Sequence, residues 1–451
     1  MKKNDSIECA IHDLGTDGQG IGRYEGMTIF VDGALPGETV RTKLIALKKN
    51  YGVGKLEEVL TLSPMRVKPP CHVFGKCGGC SLQHFSYAGQ LQFKLNHVMN
   101  CVERIGRLDI PVNFPLPARH EYRYRNKAAF PLQQNGAQVD IGFYAAHSHR
   151  IVDVDDCKIQ PADFKIIMSQ LRVWIIKNGV SIYDETSHTG LLRHVILREN
   201  KNGDVMLVLC INGEDIPHKA HLITLFEFVL PQVKSIMLNI NTQKTNAILG
   251  ETSVCIYGRD HIFETLVGLE FKLGAQSFLQ VNSMQTELLY HTLLKMLRFT
   301  GNETVLDLYC GVGTISLAVA QHVKKVVGIE IVGQAIEDAK FNAQLNDIDN
   351  VEFLFGDVAA LLPQIVKRHG NVDTVIVDPP RKGLGESVIR TLASAGIPQI
   401  GYVSCNPSTL ARDLALFYEL GYRAQLIQPV DMFPQTTHVE CVTVLKKESG
   451  V

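Results

Sequence analysis

The sequence has no run of about 18 uncharged apolar residues, the length a membrane-crossing helix needs, which excludes a spanning segment of that kind. No apolar stretch follows Met1-Lys2-Lys3-Asn4-Asp5, so no export leader is expected, and a soluble cytoplasmic protein is. Excess charge is missing as well: 45 Lys and Arg stand against 46 Asp and Glu, a net of -1. That balance excludes a uniformly cationic nucleic-acid wrapper, so any contact with RNA must use local patches and shape. Internal repeats and low-complexity tracts are absent, and nothing calls for an obligate protein partner.

What is present is a chain of 451 residues, 45% hydrophobic and 20% charged, long enough for roughly three domains and a large core. Residues 1–65 alternate short apolar runs with Gly-rich turns, as in Thr28-Ile29-Phe30-Val31-Asp32-Gly33, and read as a small β-barrel. Pro64, Pro69 and Pro70 mark a linker. Residues 66–268 mix strand-like runs (Val205 to Leu209) with helix-like ones (Phe164 to Ile176), an α+β pattern. From there to residue 451 strands alternate with helices, the signature of a parallel sheet in an α/β domain.

Eleven cysteines without a secretory leader are thiols, metal ligands or catalytic groups rather than a disulfide framework. Cys71, Cys77 and Cys80 share one Gly-containing loop, and Cys157 stands apart. Four thiolates suit tetrahedral zinc or an iron-sulfur cluster, and the chemistry alone does not choose. Cys210, Cys255 and Cys310 read as inert buried thiols. The best basic patch is Arg119, Arg123, Arg125 and Lys127.

In the last third, an apolar strand runs through Asp307-Leu308-Tyr309-Cys310-Gly311-Val312-Gly313 into a helix at Ile315 to Gln321. Glycine lets a ligand approach the backbone, and the helix start offers free N–H groups. A second strand ends at Glu330, suited to ribose hydroxyls, and a third at Asp357, suited to an adenine edge or to a helix cap. The series points to an adenosine-containing cofactor. Asp378-Pro379-Pro380-Arg381 ends another buried strand in a rigid pocket wall, and Ser404-Cys405-Asn406-Pro407 repeats that geometry one unit later, where a thiol can serve as nucleophile.

From Cys71 to the C-terminal end, these motifs in this order resemble the S-adenosylmethionine-dependent RNA uracil-5-methyltransferases, in the bacterial 23S ribosomal RNA branch that carries a TRAM domain and a [4Fe-4S] cluster. The resemblance implies an OB-like TRAM barrel for residues 1–65, a central iron-sulfur domain and a C-terminal Rossmann-like methyltransferase domain, with the segment about 87–118 packed on the latter. It assigns the cluster to Cys71, Cys77, Cys80 and Cys157. The cofactor goes to Gln280 (in Ser277-Phe278-Leu279-Gln280-Val281-Asn282), Tyr309, Gly311, Glu330, Asp357 and Asp378. Ala275-Gln276 stands where the family more often has Ser-Pro, a departure that touches loop shape. The cysteine spacing is not that of radical enzymes, and polar methyl transfer needs no electron, so a structural or RNA-ordering cluster is expected.

By the same resemblance Cys405 is the nucleophile that adds to uracil C6, and Glu440, in Thr437-His438-Val439-Glu440, is the base that removes the C5 proton. The target base must be unpaired or flipped. The cluster cysteines and the barrel favour 23S rRNA over the alternative, the T-loop of transfer RNA. A catalytically silent RNA-binding or redox iron-sulfur protein is the reading from another class, and the intact Cys405 and Glu440 argue against it.

Overall fold

Alternating burial closes roughly the first seventh of the chain on itself. In a computed structural model, whose described residues are 1–448, strands β1 (Ser6–Leu14), β2 (Gly20–Tyr24), β3 (Met27–Asp32), β4 (Thr39–Leu47) and β5 (Tyr51–Thr61) form a closed barrel in the order β1-β2-β3-β5-β4. Ile7, Cys9 and Ile11 of β1 meet Ile29, Val31, Val40 and Leu44 inside it. Positive φ at both Glu25 and Gly26 makes the tight β2–β3 turn, whose twist matches that of the flanking strands. The barrel is fastened to the linker by Arg66, which reaches the buried Glu38 and the Gly33 carbonyl.

Helix α1 (Tyr87–Cys101) is capped by Ser86, whose hydroxyl accepts from the Gly89 N–H, and ends in a π-helical turn at Val102–Gly106. Val98, Val102 and Ile110 join the same core as Leu414, Phe417 and Tyr422, so this segment packs on the C-terminal part of the chain. Its continuation bridges that part backbone to backbone, Val112 to Ile427 and Leu116 to Val430.

The central part comprises β6 (Lys127–Asn135), β7 (Gln138–Tyr144), β8 (Ile151–Asp153), α2 (Asp163–Lys177), β9 (Leu192–Glu199), β10 (Val205–Ile211), α3 (Lys219–Val229), β11 (Val233–Ile240) and β12 (Thr252–Gly258). Its strands make a seven-stranded sheet, β12-β11-β10-β9-β6-β7-β8, in which only β10 and β11 run parallel. One face packs on α2 and α3 through Trp174 and Phe226. The other packs on the C-terminal part through Met206, Val208 and Cys210, which explains why every residue of β10 is buried and its sequence is unbroken apolar. Cys255 departs from the inert reading: it lies exposed on the edge strand β12, where a side chain has no second layer to enter.

A hairpin, β13 (Ile262–Leu266) and β14 (Leu269–Leu273), leads into α4 (Ser283–Leu297). Then β15 (Thr304–Leu308), α5 (Thr314–Ala320), β16 (Lys325–Glu330), α6 (Gly333–Leu345), β17 (Val351–Phe355), α7 (Val358–His369), β18 (Thr374–Val377), α8 (Glu386–Ser394), β19 (Gln399–Ser404), α9 (Pro407–Glu419), β20 (Tyr422–Val430) and β21 (Glu440–Lys447) complete the chain. The sheet order is β17-β16-β15-β18-β19-β21-β20, parallel except for the antiparallel β21. The strand order reverses between β15 and β18, so a crevice opens there at the carboxyl ends.

The loop between β20 and β21 is where the parts meet. Lys94 of α1 and Asp431, both fully buried, form an ion pair with N–O 2.5 Å. Lys94 also donates to the Phe433 carbonyl, and the Tyr87 hydroxyl donates to the other oxygen of Asp431. Gln435 accepts from the backbone of Ser81 and Leu82, the Tyr124 hydroxyl donates to Pro434, and Asn282 donates to Met432. A Cβ built on Gly18 of the barrel would lie 3.2 Å from Thr437. Removing one buried charge strands the other, at a cost of about 3–5 kcal/mol, whereas replacing both with apolar groups is near neutral. Lys94→Met should lower the unfolding free energy obtained from urea titration by that amount, and the double change Lys94→Met with Asp431→Leu should recover most of it.

Candidate active site

At the crevice the chain leaves β15 in a strained turn. Tyr309 has φ 68°, a left-handed conformation that a bulky residue rarely adopts. Gly311 follows at φ 55°, and a Cβ there would meet nothing within 4 Å, so the backbone borders open space. Glu330, at the end of β16, is held by the N–H groups of Gly311 (3.2 Å) and Val332 (2.9 Å). Gln280, Tyr309, Gly311, Glu330 and Asp378 line one hollow of about 420 Å³. Asp357 does not join them. Its carboxylate caps α7 by accepting the Ala360 N–H (3.0 Å), and it borders an adjoining hollow of about 760 Å³ that shares Tyr309, Ile331 and Pro380 with the first.

Cys405 and Glu440 are brought together by register. The antiparallel pairing of β19 with β21 runs from Gln399 opposite Lys446 to Ser404 opposite Cys441. One more step sets Cys405, just past β19, opposite Glu440, the first residue of β21. Asn406 caps α9 through the Ser408 N–H, and its amide donates to the Arg381 carbonyl, fixing the turn that carries the thiol. Cys405 is half-buried. Burial, then the Glu440 and Asp378 carboxyls, push its pKa up to about 11 against the pull of Arg381. Glu440 is 1% exposed with one oxygen lacking any partner, and burial followed by Asp378 pushes it up to about 8. Asp378 reaches about 7 through burial. It is the residue common to the hollow and to the surroundings of both Cys405 and Glu440.

Cys71, Cys77, Cys80 and Cys157 line a different cavity of about 330 Å³, together with Val73, Phe143 and Val154. Burial comes first in raising Cys80 to about 12 and Cys157 to about 11. Among the described residues no three His, Cys, Asp or Glu side chains are grouped so as to hold a metal ion. The thiols surround the space without closing on one point. Arg125 and Lys127 border it, and Lys127 is pushed down to about 8 by burial and then by Arg198.

One strap ties these spaces together. Ser277 through Gln280 line the 420 Å³ hollow, Val281 lines the thiol cavity, and Asn282 and Ser283 line a third hollow of about 200 Å³. The strap is fastened by Arg198, which donates to the Ser277 carbonyl, and by Asn126, whose amide donates to the Gln280 carbonyl and the Ser283 hydroxyl.

Sequence reasoning passed over three groups here. Asp307 is buried, accepts from the Ser316 hydroxyl at 2.5 Å, keeps its other oxygen unpartnered, and is pushed up to about 7 by burial. Its place two residues before Tyr309 was the available signal. Arg381 is the cation facing Cys405 and Glu440, and its signal was the Asp-Pro-Pro-Arg run. Asp338, which accepts from the Ser277 hydroxyl (2.8 Å) and lines the cofactor-sized hollow, lies mid-helix with no signal at all.

Comparison with known proteins agrees with this geometry. A family profile described as tRNA (Uracil-5-)-methyltransferase matches residues 251–448, and one described as TRAM domain matches residues 3–56. An uncharacterized RNA methyltransferase of Clostridium tetani is 45% identical over 446 residues, 99% of this chain and 97% of its own. One from Halalkalibacterium halodurans is 44% identical over 448 residues, 99% of this chain and 98% of its own. The crystal structure of Pyrococcus abyssi tRNA (uracil-54, C5)-methyltransferase in complex with S-adenosyl-L-homocysteine superposes with TM-score 0.81 at 30% identity, covering 97% of this chain and 99% of that one. The chain belongs to the RNA (uracil-5-)-methyltransferase family and carries a TRAM domain at its N-terminal end.

Proposed function

We propose that the protein methylates C5 of uracil in 23S ribosomal RNA, with S-adenosylmethionine as methyl donor and Cys405 as covalent catalyst. The observation that carries the chemistry is that Cys405, one residue past the Ser404–Cys441 pair, lies close enough to Glu440 and Asp378 for their charges to act on its thiol. The hollow bounded by Gln280, Tyr309, Gly311, Glu330 and Asp378 fits an adenosine-bearing donor, since an anchored carboxylate faces ribose hydroxyls and a bare backbone admits close approach. When bound there, S-adenosylmethionine supplies an electrophilic methyl group.

Cys405 sulfur bonds to C6, and the C5–C6 π electrons move onto the C4 oxygen as an enolate. C5 then takes the methyl, and the methyl–sulfur bond of the donor breaks. Glu440 removes the proton from C5, the sulfur–C6 bond breaks, and 5-methyluracil leaves with the thiolate restored. Burial, and after it the acids around Cys405, keep the resting thiol protonated, so its proton leaves to solvent before attack and Arg381 is the group that favours the resulting thiolate as the ring arrives.

The thiol cavity fits a cluster better than a single ion: four sulfurs wall it without gathering on one centre, and Arg125 and Lys127 offset an anionic guest. Cys71, Cys77, Cys80 and Cys157 would hold a [4Fe-4S] group there, and it would supply local order rather than electrons. A second substrate reading, transfer RNA, is favoured by the P. abyssi enzyme. The uncovered 3% of this chain is about 14 residues, so that tRNA enzyme includes a counterpart of most of the barrel, and the barrel does not separate the two substrates.

Methyl transfer from labelled donor to unmodified 23S and tRNA transcripts, with mass mapping of the products, tests the substrate; incorporation into tRNA alone would replace the first reading. Cys405→Ala should abolish turnover with S-adenosylhomocysteine binding retained, whereas Glu440→Gln should trap a covalent protein–RNA adduct and slow release by about 10²–10⁴-fold. Because Glu440 must be ionised to take the C5 proton after methyl transfer, kcat of the wild type should climb with pH up to about 8 and fall below it, and Glu440→Gln should remove that dependence. Protein purified without oxygen should contain iron and sulfide, about four of each per chain; Cys80→Ala should lose both, and zinc in their place would overturn the cluster.

A further inference from the structure

Beside the strap lies the third hollow of about 200 Å³, and its lining includes ionisable side chains that the fold leaves without opposite partners. Arg119 is exposed, Arg125 is half-buried, and neither has a carboxylate partner among the described residues. Glu199 stands in the same hollow, half-buried, with no hydrogen bond or ion pair to either carboxylate oxygen among the described residues, and burial followed by the nearby Asp163 pushes it up to about 7, so a cationic or N–H partner is what would hold it ionised. Arg125, two residues before β6, and Glu199, at the end of β9, lie on neighbouring stretches of backbone, since Lys127 pairs with Arg198 in the β6–β9 register, yet they do not join. The other acid here, Glu264, is fully engaged by the Ser283 hydroxyl and the N–H groups of Lys201 and Thr265. A free cation and a free carboxylate held apart in one small hollow match a nucleotide: phosphate for the guanidinium groups, a base N–H for Glu199.

The hollow is also in the right place. A single residue of the strap, Val281, separates Gln280 in the cofactor-sized hollow from Asn282 here, a reach of at most about 7 Å. On its inner side Arg125 lies over the Phe433 ring at 5.9 Å, and Phe433 packs edge-on against His438, two residues before Glu440. We propose that this hollow receives a nucleotide of the RNA substrate flanking the target uridine, with Arg119 and Arg125 on its phosphates and Glu199 on a base N–H. The inference rests on the RNA methylation reading above and goes beyond it by naming where a second nucleotide is read.

Met284 lines the hollow and is 40% exposed, so it can carry a probe. With benzoyl-phenylalanine in place of Met284, ultraviolet light should attach the protein to one discrete position of the transcript within a few nucleotides of the methylated uridine. Glu199→Gln and Arg119→Ala should each raise KM for the transcript by about tenfold, with kcat and S-adenosylhomocysteine affinity held. Scattered attachment, or unchanged KM in a wild type that methylates the transcript, would sink this hollow alone. Attachment to a co-purifying protein would replace the nucleotide with a protein partner. A wild type that methylates neither RNA would remove the reading on which the inference stands.

Discussion

Two opposite charges taken wholly out of water, Lys94 and Asp431, hold the loop that leads into Glu440. A buried pair of this kind contributes little net stability, because desolvation offsets the attraction, but it is costly to break. Its effect is therefore on position. With Lys94 fixed to Asp431 and the Phe433 carbonyl, and with Tyr87, Tyr124, Asn282 and Gln435 satisfying the rest of the loop, β21 can start at only one place relative to β19. A shift of one residue along a strand turns every side chain to the opposite face. Glu440 would then face away from Cys405, so the register of the sheet and the chemistry at its mouth depend on the same loop.

The same architecture loads the crevice with acids that resist ionisation. Burial pushes Glu440 to about 8 and Asp307 and Asp378 to about 7. These folded-state values lie above those of free carboxyls, so the folded chain holds protons that the unfolded chain has lost. The stability they contribute is present below the ordinary carboxylate range and is lost as pH rises through about 7–8. The crevice thus gives up stability near neutrality to keep bases that are strong when they do ionise, a trade common at reaction centres.

How much of this could be read in advance follows from range along the chain. Period-2 alternation and turn residues are local signals, and they gave the barrel, β10 and α2 with small shifts at the ends. The ends of β15, β16, β18 and β19 were legible because a buried apolar run stops at a chemically distinct residue: Tyr309 just past β15, Glu330 at the end of β16, Asp378 just past β18 and Cys405 just past β19. Asp357 followed the same rule at a strand end, and there the carboxylate caps the next helix and borders the adjoining hollow, a second use of such a residue that local sequence does not separate from the first. Lys94, Asp338 and Glu199 left no trace. The partners of Lys94 and Asp338 lie 337 and 61 residues away, the side chain of Glu199 has no partner among the described residues, and no local pattern encodes that. Cys255 was misjudged because thiol burial depends on whether its strand is at an edge, which only the sheet order reveals.

The strap from Ser277 to Ser283 has a consequence for how the molecule behaves as a whole. Because neighbouring residues of a single extended segment wall three separate spaces, stiffening at any one of them is felt by the other two through covalent bonds rather than through distant packing. Occupancies of the three spaces are then not independent quantities. Heat or affinity measured for one guest carries a contribution from the others, with the reciprocity that linkage demands.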